Sequence, residues 1–139
     1  MPPESSPIVR RIGVDHHPFE LAFTPSERGL ELGIRSEDAS HAPLANVVST
    51  AWVYGIDAFL SAVIAHRGQS FEDVGFTWEG DDAPPDYVTL IDIDDELHVP
   101  QRIFRDFVLS VAFTTLEVTR ELGLPGPAWK DRLSDLKAS

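Results

Sequence analysis

Residues 7–36 read PIVRRIGVDHHPFELAFTPSERGLELGIRS, and the pattern of this segment is the strongest indication of the fold class. Its apolar residues alternate with polar ones in three short runs, at residues 8–14, 19–23 and 30–34. An apolar period of two predicts strands with one buried face. Pro25 and Gly29 lie in a connection of about four to six residues that suits a hairpin loop. The segment therefore predicts a three-stranded antiparallel meander.

Two long helices and a short one are predicted from the pattern elsewhere in the chain. Pro43 suits the first position of a helix that continues to about His66. Apolar residues cover nearly its whole circumference, which predicts burial on more than one side. Pro100 opens the second long helix, and Gly123 ends it because glycine accepts the left-handed cap. A short amphipathic helix is predicted at the C-terminus.

The strands are grouped separately from the helices, which indicates an α+β fold. Residues 74–78 and 87–93 are rich in β-branched and aromatic side chains and predict a second hairpin. The predicted order is βββ-α-ββ-α-α, an antiparallel sheet of about five strands covered by two long helices and a short C-terminal helix. We expect residues 1–7 to be a flexible N-terminus and residues 8–139 to form a single α+β domain.

The charge is concentrated in one part of the chain. Asp and Glu number 23 against 11 Lys and Arg, so the formal net charge is −12. No Lys or Arg occurs between Arg67 and Arg102, yet this stretch contains Glu72, Asp73, Glu79, Asp81, Asp82, Asp86, Asp92, Asp94, Asp95 and Glu96. Nucleic acid is excluded as an expected partner because phosphate binding requires a basic surface. A basic protein partner is favoured instead.

Motifs for common enzymatic chemistry are missing from the sequence. The chain has no cysteine, which removes disulfides, zinc–thiolate sites and cysteine nucleophiles. No GxSxG elbow, GxxxxGK[ST] loop or GxGxxG loop occurs. We therefore predict a protein that is not an enzyme and has no cofactor. No long uncharged apolar run or secretory leader is apparent, so the expected location is cytoplasmic, without membrane attachment.

The run from Asp92 to His98 is the strongest candidate for other chemistry, because carboxylates with a histidine can bind a divalent ion or transfer protons. It does not fit a calcium loop, since Leu97 and Ile103 occupy the positions of the required glycine and glutamate. An acidic surface that is solvated or binds a partner is the favoured interpretation. The alternative is a small metal-dependent enzyme or ligand-binding domain that uses Asp92, Asp94 and His98.

Two further polar features have structural interpretations. Asp15, His16 and His17 are adjacent, and neighbouring side chains on an extended chain point to opposite faces, so a turn is predicted rather than a metal site. Asp57 lies mid-helix among apolar residues, but it belongs to a narrow polar stripe on that helix. A structural or interface role is therefore favoured for Asp57 over a catalytic one.

An acidic protein-binding module is the function that these observations favour. The expected contact residues are Trp78, Glu79, Asp81, Asp82, Asp86, Asp92, Asp94, Asp95 and Glu96. A small, acidic, cysteine-free chain of this kind is similar in general character to bacterial immunity proteins. That resemblance implies an inhibitor that neutralises a basic toxin or effector through an acidic face. Each long helix has apolar residues on a second side, and these residues are also compatible with a homodimer.

Overall fold

The first sheet is the predicted meander. The computed structural model describes residues 7–26, 29–78, 87–93 and 95–138. Strands β1 (Ile8–Val14), β2 (His17–Ser26) and β3 (Gly29–Ser36) pair antiparallel in that order. The alternate residues Phe19, Leu21 and Phe23 are fully buried, as a period of two requires. Because the strands continue through Ser26 and resume at Gly29, the loop is shorter than predicted.

The β1–β2 connection confirms the predicted turn. Asp15 and His16 form a two-residue link with φ values of 51° and 69°, and Val14 pairs with His17 on either side of it. Positive φ at both central residues matches the right-handed twist of the flanking strands. Aspartate and histidine are among the non-glycine residues that adopt this conformation most readily.

The second sheet is larger than predicted. Strands β4 (Gln69–Phe71), β5 (Val74–Trp78), β6 (Tyr87–Asp92) and β7 (Asp95–Pro100) pair antiparallel in chain order. The predicted hairpin is β5–β6, whereas β4 and β7 were not predicted. The fold is therefore α+β as expected, but the described residues form seven strands in two sheets rather than about five strands in one sheet.

The long helices are α1 (Ala42–Ile64) and α2 (Gln101–Glu121), and α3 (Leu133–Ala138) is the short C-terminal helix. The predicted end of α2 is confirmed. Gly123 has a φ of 69°, and its N–H donates to the carbonyl of Arg120 at 3.0 Å. This is the left-handed glycine that commonly terminates a helix.

Helix α1 is not uniform along its length. Gly55 has non-helical angles (φ 160°, ψ 106°) that divide the helix into two segments. Val53 and Tyr54, just before the break, are 75% and 60% exposed, so the predicted burial on more than one side fails there. By length and composition alone, the segment Ala39–Ile64 is apolar enough to cross a membrane, contrary to the expectation that no such run exists. Contacts of α1 with both β3 and β6 account for much of this apolar composition.

Aromatic side chains connect the two sheets through α2. The Phe19 ring of β2 lies 4.5 Å from the Phe107 ring, and the Phe76 ring of β5 lies 5.3 Å from the Phe104 ring. Phe59 of α1 also contacts Phe76 at 5.7 Å. The buried apolar residues of both sheets belong to one cluster.

Candidate functional site

Two tight turns lie side by side at one end of the four-stranded sheet. Phe71 pairs with Val74 across the β4–β5 turn, and Asp92 pairs with Asp95 across the β6–β7 turn. The backbone N–H of Ile93 in the second turn donates to the carbonyl of Asp73 in the first at 2.8 Å. The sheet order and this hydrogen bond hold the two turns together.

Carboxylates surround these turns. We call the following set the acidic end: Glu72, Asp73, Asp92, Asp95 and Glu96. All except the half-buried Asp92 are exposed, and Asn46 of α1 donates to the Asp92 Oδ2 atom at 2.6 Å. Within the described ranges, no Lys or Arg forms an ion pair with any of the five. The acidic end therefore concentrates negative charge next to solvent.

Ile93 occupies the tip of the β6–β7 turn in an unusual conformation. Its φ is 56°, and 68% of the residue is exposed. A β-branched residue rarely has positive φ, since its Cβ approaches the backbone, at a cost of about 1–2 kcal/mol. Asn or Gly is the usual choice at such a turn position. Neither burial nor turn geometry explains why isoleucine occurs here.

A second apolar side chain extends this surface. Ile91 is 37% exposed and lies opposite Glu96 in the β6–β7 ladder. Side chains directly opposite one another share a face of the sheet. Ile91 and Ile93 are thus exposed apolar residues next to carboxylates, which is a composition typical of protein interfaces.

The predicted contact residues are divided between different parts of the chain. Asp92, Asp95 and Glu96 come together at the acidic end. Outside the described residues lie Glu79, Asp81, Asp82, Asp86 and Asp94. Glu72, Asp73 and Ile93 join the site although they were not among the predicted contacts. Glu72 and Asp73 lie in the acidic stretch between Arg67 and Arg102, so the distribution of charge along the sequence could have identified them.

Trp78 lies at the opposite end of the sheet from Asp92. It is four residues along β5 from Val74, the partner of Asp92, a distance of about 13 Å. Its indole N–H donates to the carbonyl of Arg67 at 2.9 Å, and its ring stacks on His66 at 4.7 Å. Trp78 is thus a half-buried packing residue rather than part of the acidic end.

Two residues of the alternative metal site at Asp92, Asp94 and His98, namely Asp92 and His98, lie on different faces of the sheet. Asp92 pairs with Asp95, and His98 lies three residues farther along β7, which places it on the other face of the sheet. There the Nδ1 atom of His98 lies 2.9 Å from the Thr89 hydroxyl oxygen. Asp94 is outside the described residues. Asp92 and His98 are therefore not positioned to bind one ion together.

Asp57 lies on the surface, where it contacts the C-terminal segment. The Arg132 Nε atom donates to Asp57 Oδ1 at 3.1 Å, and the same guanidinium contacts the Ser61 hydroxyl. The Asp57 side chain is 61% exposed, so it is not a buried carboxylate. This contact agrees with the structural role that the polar stripe predicts.

A separate cluster contains His17, Asp38 and His41. The backbone N–H of Glu37 donates to the Pro18 carbonyl at 3.1 Å, which holds the end of β3 next to the start of β2. The Asp38 Oδ2 atom lies 3.0 Å from His17 Nδ1 and 3.7 Å from His41 Nδ1. The two imidazole rings stack with centroids 3.6 Å apart.

Hydrogen bonds and burial set the electrostatics of this cluster. The Ser40 hydroxyl and backbone N–H donate to Asp38 Oδ1 at 2.8 and 3.0 Å, and they lower the pKa of Asp38. Partial burial lowers the pKa of His41, and the nearby His17 lowers it further. Residues so far apart in sequence carried no recognisable motif, and the cluster was not predicted.

No family model, no curated protein and no solved structure matches this chain.

Proposed function

We propose that this chain is an acidic protein-binding module that docks its acidic end onto a basic surface of a partner protein. The observation that carries the proposal is the exposed Ile93, held at positive φ among carboxylates that pair with no Lys or Arg of the described chain. An apolar side chain supplies contact area on binding, and the surrounding charges select the partner.

The strained Ile93 and the neighbouring carboxylates both lower the stability of the isolated protein, and both become favourable in a complex. The positive φ of Ile93 lowers the free energy of unfolding by about 1–2 kcal/mol. The neighbouring carboxylates repel one another, which lowers it further. On docking, Ile93 leaves water, and Lys or Arg of the partner approaches the carboxylates. A surface that is unfavourable alone and favourable when covered is expected at a recognition site.

The partner class that fits best is a basic bacterial toxin or effector, with this chain as an immunity-type inhibitor. Toxins that act on nucleic acid require basic clefts, because they must attract phosphate. An acidic surface is complementary to such a cleft, and charge attraction speeds association, which benefits an inhibitor that must act before the toxin does. The proposal includes a cytoplasmic location and no catalytic role.

The test is capture of a partner by the full chain from a lysate of the source organism, followed by affinity measurement with the purified partner. The variant E72K/D95K/E96K reverses three exposed carboxylates of the acidic end. We expect it to bind at least about 100-fold more weakly than wild type, since close interfacial charge pairs contribute several kcal/mol. Binding by wild type should also weaken as salt increases.

A matched control separates local recognition from total charge. The variant E31K/E117K/D135K changes the net charge equally, and its three sites are exposed on β3, α2 and α3. We expect its affinity to remain within about threefold of wild type, because these sites lie outside the proposed contact surface. The proposal would be contradicted if both triple variants lost affinity equally, or if neither variant lost affinity. Circular dichroism verifies that each variant folds.

A further inference from the structure

We propose that His17, Asp38 and His41 form a binding site for a divalent transition metal, most suitably Zn²⁺, with one coordination position open to solvent. The cluster is independent of the acidic end, since it joins the start of β2 to the 3₁₀ turn Ala39–His41 that precedes α1. Each of the three residues offers one ligand atom, and these atoms lie within 4.8 Å of one another.

The spacing of the donor atoms fits a tetrahedral ion. Zinc binds imidazole nitrogen at about 2.0–2.1 Å and carboxylate oxygen at about 2.0–2.2 Å, so ligand atoms around it are separated by about 3.4 Å. Asp38 Oδ2 lies 3.0 Å from His17 Nδ1 and 3.7 Å from His41 Nδ1, on either side of that value. The imidazole rings of His17 and His41 are stacked 26° from parallel, so they must rotate out of the stack for both nitrogens to point at one ion.

The carboxylate of Asp38 is already oriented for this role. Its Oδ1 atom accepts hydrogen bonds from the Ser40 N–H and hydroxyl, which leaves Oδ2 facing both imidazoles. The Ser40 Oγ atom also lies 2.9 Å from His41 Nδ1, and an ion bound at that nitrogen would replace this contact. Hydrogen bonds of this kind orient ligands and are a regular part of metal sites. The Ser36 hydroxyl contacts the Asp38 backbone N–H at 3.1 Å, which further fixes the residue.

The donor set selects the type of metal. Two imidazoles and one carboxylate suit Zn²⁺, Co²⁺, Ni²⁺ or Cu²⁺, whereas Mg²⁺ and Ca²⁺ prefer oxygen ligands. The side chains of His17, Asp38 and His41 are 29%, 39% and 18% exposed, so an ion can reach them from solvent. Three protein ligands leave a fourth position for water or an external donor, as in open zinc sites.

The experiment is calorimetric titration of the metal-free full chain with ZnCl₂. We expect one Zn²⁺ per chain with micromolar or tighter affinity, and no comparable heat from MgCl₂ or CaCl₂. The variants H17A and H41A should each weaken binding at least about tenfold, since each loses one of three ligands. D38N retains an oxygen for Ser40 and should also weaken binding, without loss of the turn.

Matched controls use histidines outside the cluster. His16 is adjacent in sequence and exposed, and His98 lies on the other sheet. H16A and H98A should bind zinc as wild type does. The absence of stoichiometric zinc binding by wild type, or equal binding by wild type and the double variant H17A/H41A, would overturn the proposal. Because the two sites are separate, loss of zinc binding in H17A/H41A should leave partner capture by the acidic end intact.

Discussion

The two sheets of this protein carry their charges in different ways. In and around the three-stranded sheet, carboxylates lie next to guanidinium groups, in the pairs Arg10–Glu121 at 2.5 Å, Arg11–Glu37 at 2.6 Å and Arg35–Glu20 at 3.1 Å. At the acidic end of the four-stranded sheet, the carboxylates have no Lys or Arg partner in the described part of the chain. The arginines of the three-stranded sheet are paired with carboxylates in and beside that sheet. At the acidic end, Glu96 lies 3.6 Å from His98, and four of the five carboxylates, all but the half-buried Asp92, are exposed to solvent.

The tight turns of the two sheets also differ, in how well their residue types fit positive φ. Asp15 and His16 have positive φ in the β1–β2 turn, and both residue types tolerate it. Ile93 has positive φ in the β6–β7 turn, where a β-branched side chain is strained and exposed. Local sequence and local structure agree at the first turn and conflict at the second. Such conflict is expected where residues are retained for function rather than for folding.

The largest expected effect tests whether the two sheets share one core. Phe19 and Phe76 are buried in different sheets, and both pack on α2. F19A and F76A should each lower the free energy of unfolding by about 3–5 kcal/mol, because each leaves a cavity. In urea, each variant should show one transition by circular dichroism and the same transition by tryptophan fluorescence. Separate transitions for the two probes would mean that the sheets unfold independently.

The next effect concerns the two turns. I93G should raise the free energy of unfolding by about 1 kcal/mol, because glycine adopts positive φ without a Cβ clash. D15G, the equivalent change in the other sheet, should alter stability by less than about 0.5 kcal/mol, since aspartate already tolerates its conformation. Urea denaturation of both variants measures the contrast. A destabilised I93G would show that isoleucine supports the turn and would remove the main argument for strain there.

The smallest expected effect is on stability when a carboxylate is reversed to lysine, and the change should have opposite sign in the two sheets. E37K places a cation beside Arg11 and should lower stability by about 0.5–1 kcal/mol. E72K relieves repulsion at the acidic end and should raise stability by about 0.5 kcal/mol. Both changes should shrink in 0.5 M NaCl because exposed charges are screened. A loss of stability in E72K would indicate that Glu72 is already balanced.

Much of the fold could be predicted because its signals are local. Alternation at Phe19, Leu21 and Phe23 identified a strand, and Gly123 identified the end of α2. β7 was not predicted because only Leu97 and Val99 alternate in it, among the polar residues Asp95, Glu96 and His98. Its last residue, Pro100, was assigned to the following helix. β4 has only three residues, which is too few for a periodic pattern.

The sites could be predicted only in part because they depend on register. The charge count located the acidic stretch, but only the sheet order shows that Asp92 and Trp78 lie at opposite ends. Pairing of Phe19 with Ser36 brings the following Asp38 beside His17, 21 residues away in sequence. The break at Gly55 also had no clear signal, since an isolated glycine is tolerated within a helix.

If the acidic end is a recognition surface, the affinity of I93G for the partner that wild type captures tests this most directly. We expect I93G to bind at least about tenfold more weakly, as for the loss of an apolar anchor, although it is more stable than wild type. Unchanged affinity in a stabilised I93G would contradict the claim, because the strained isoleucine would then serve neither folding nor binding.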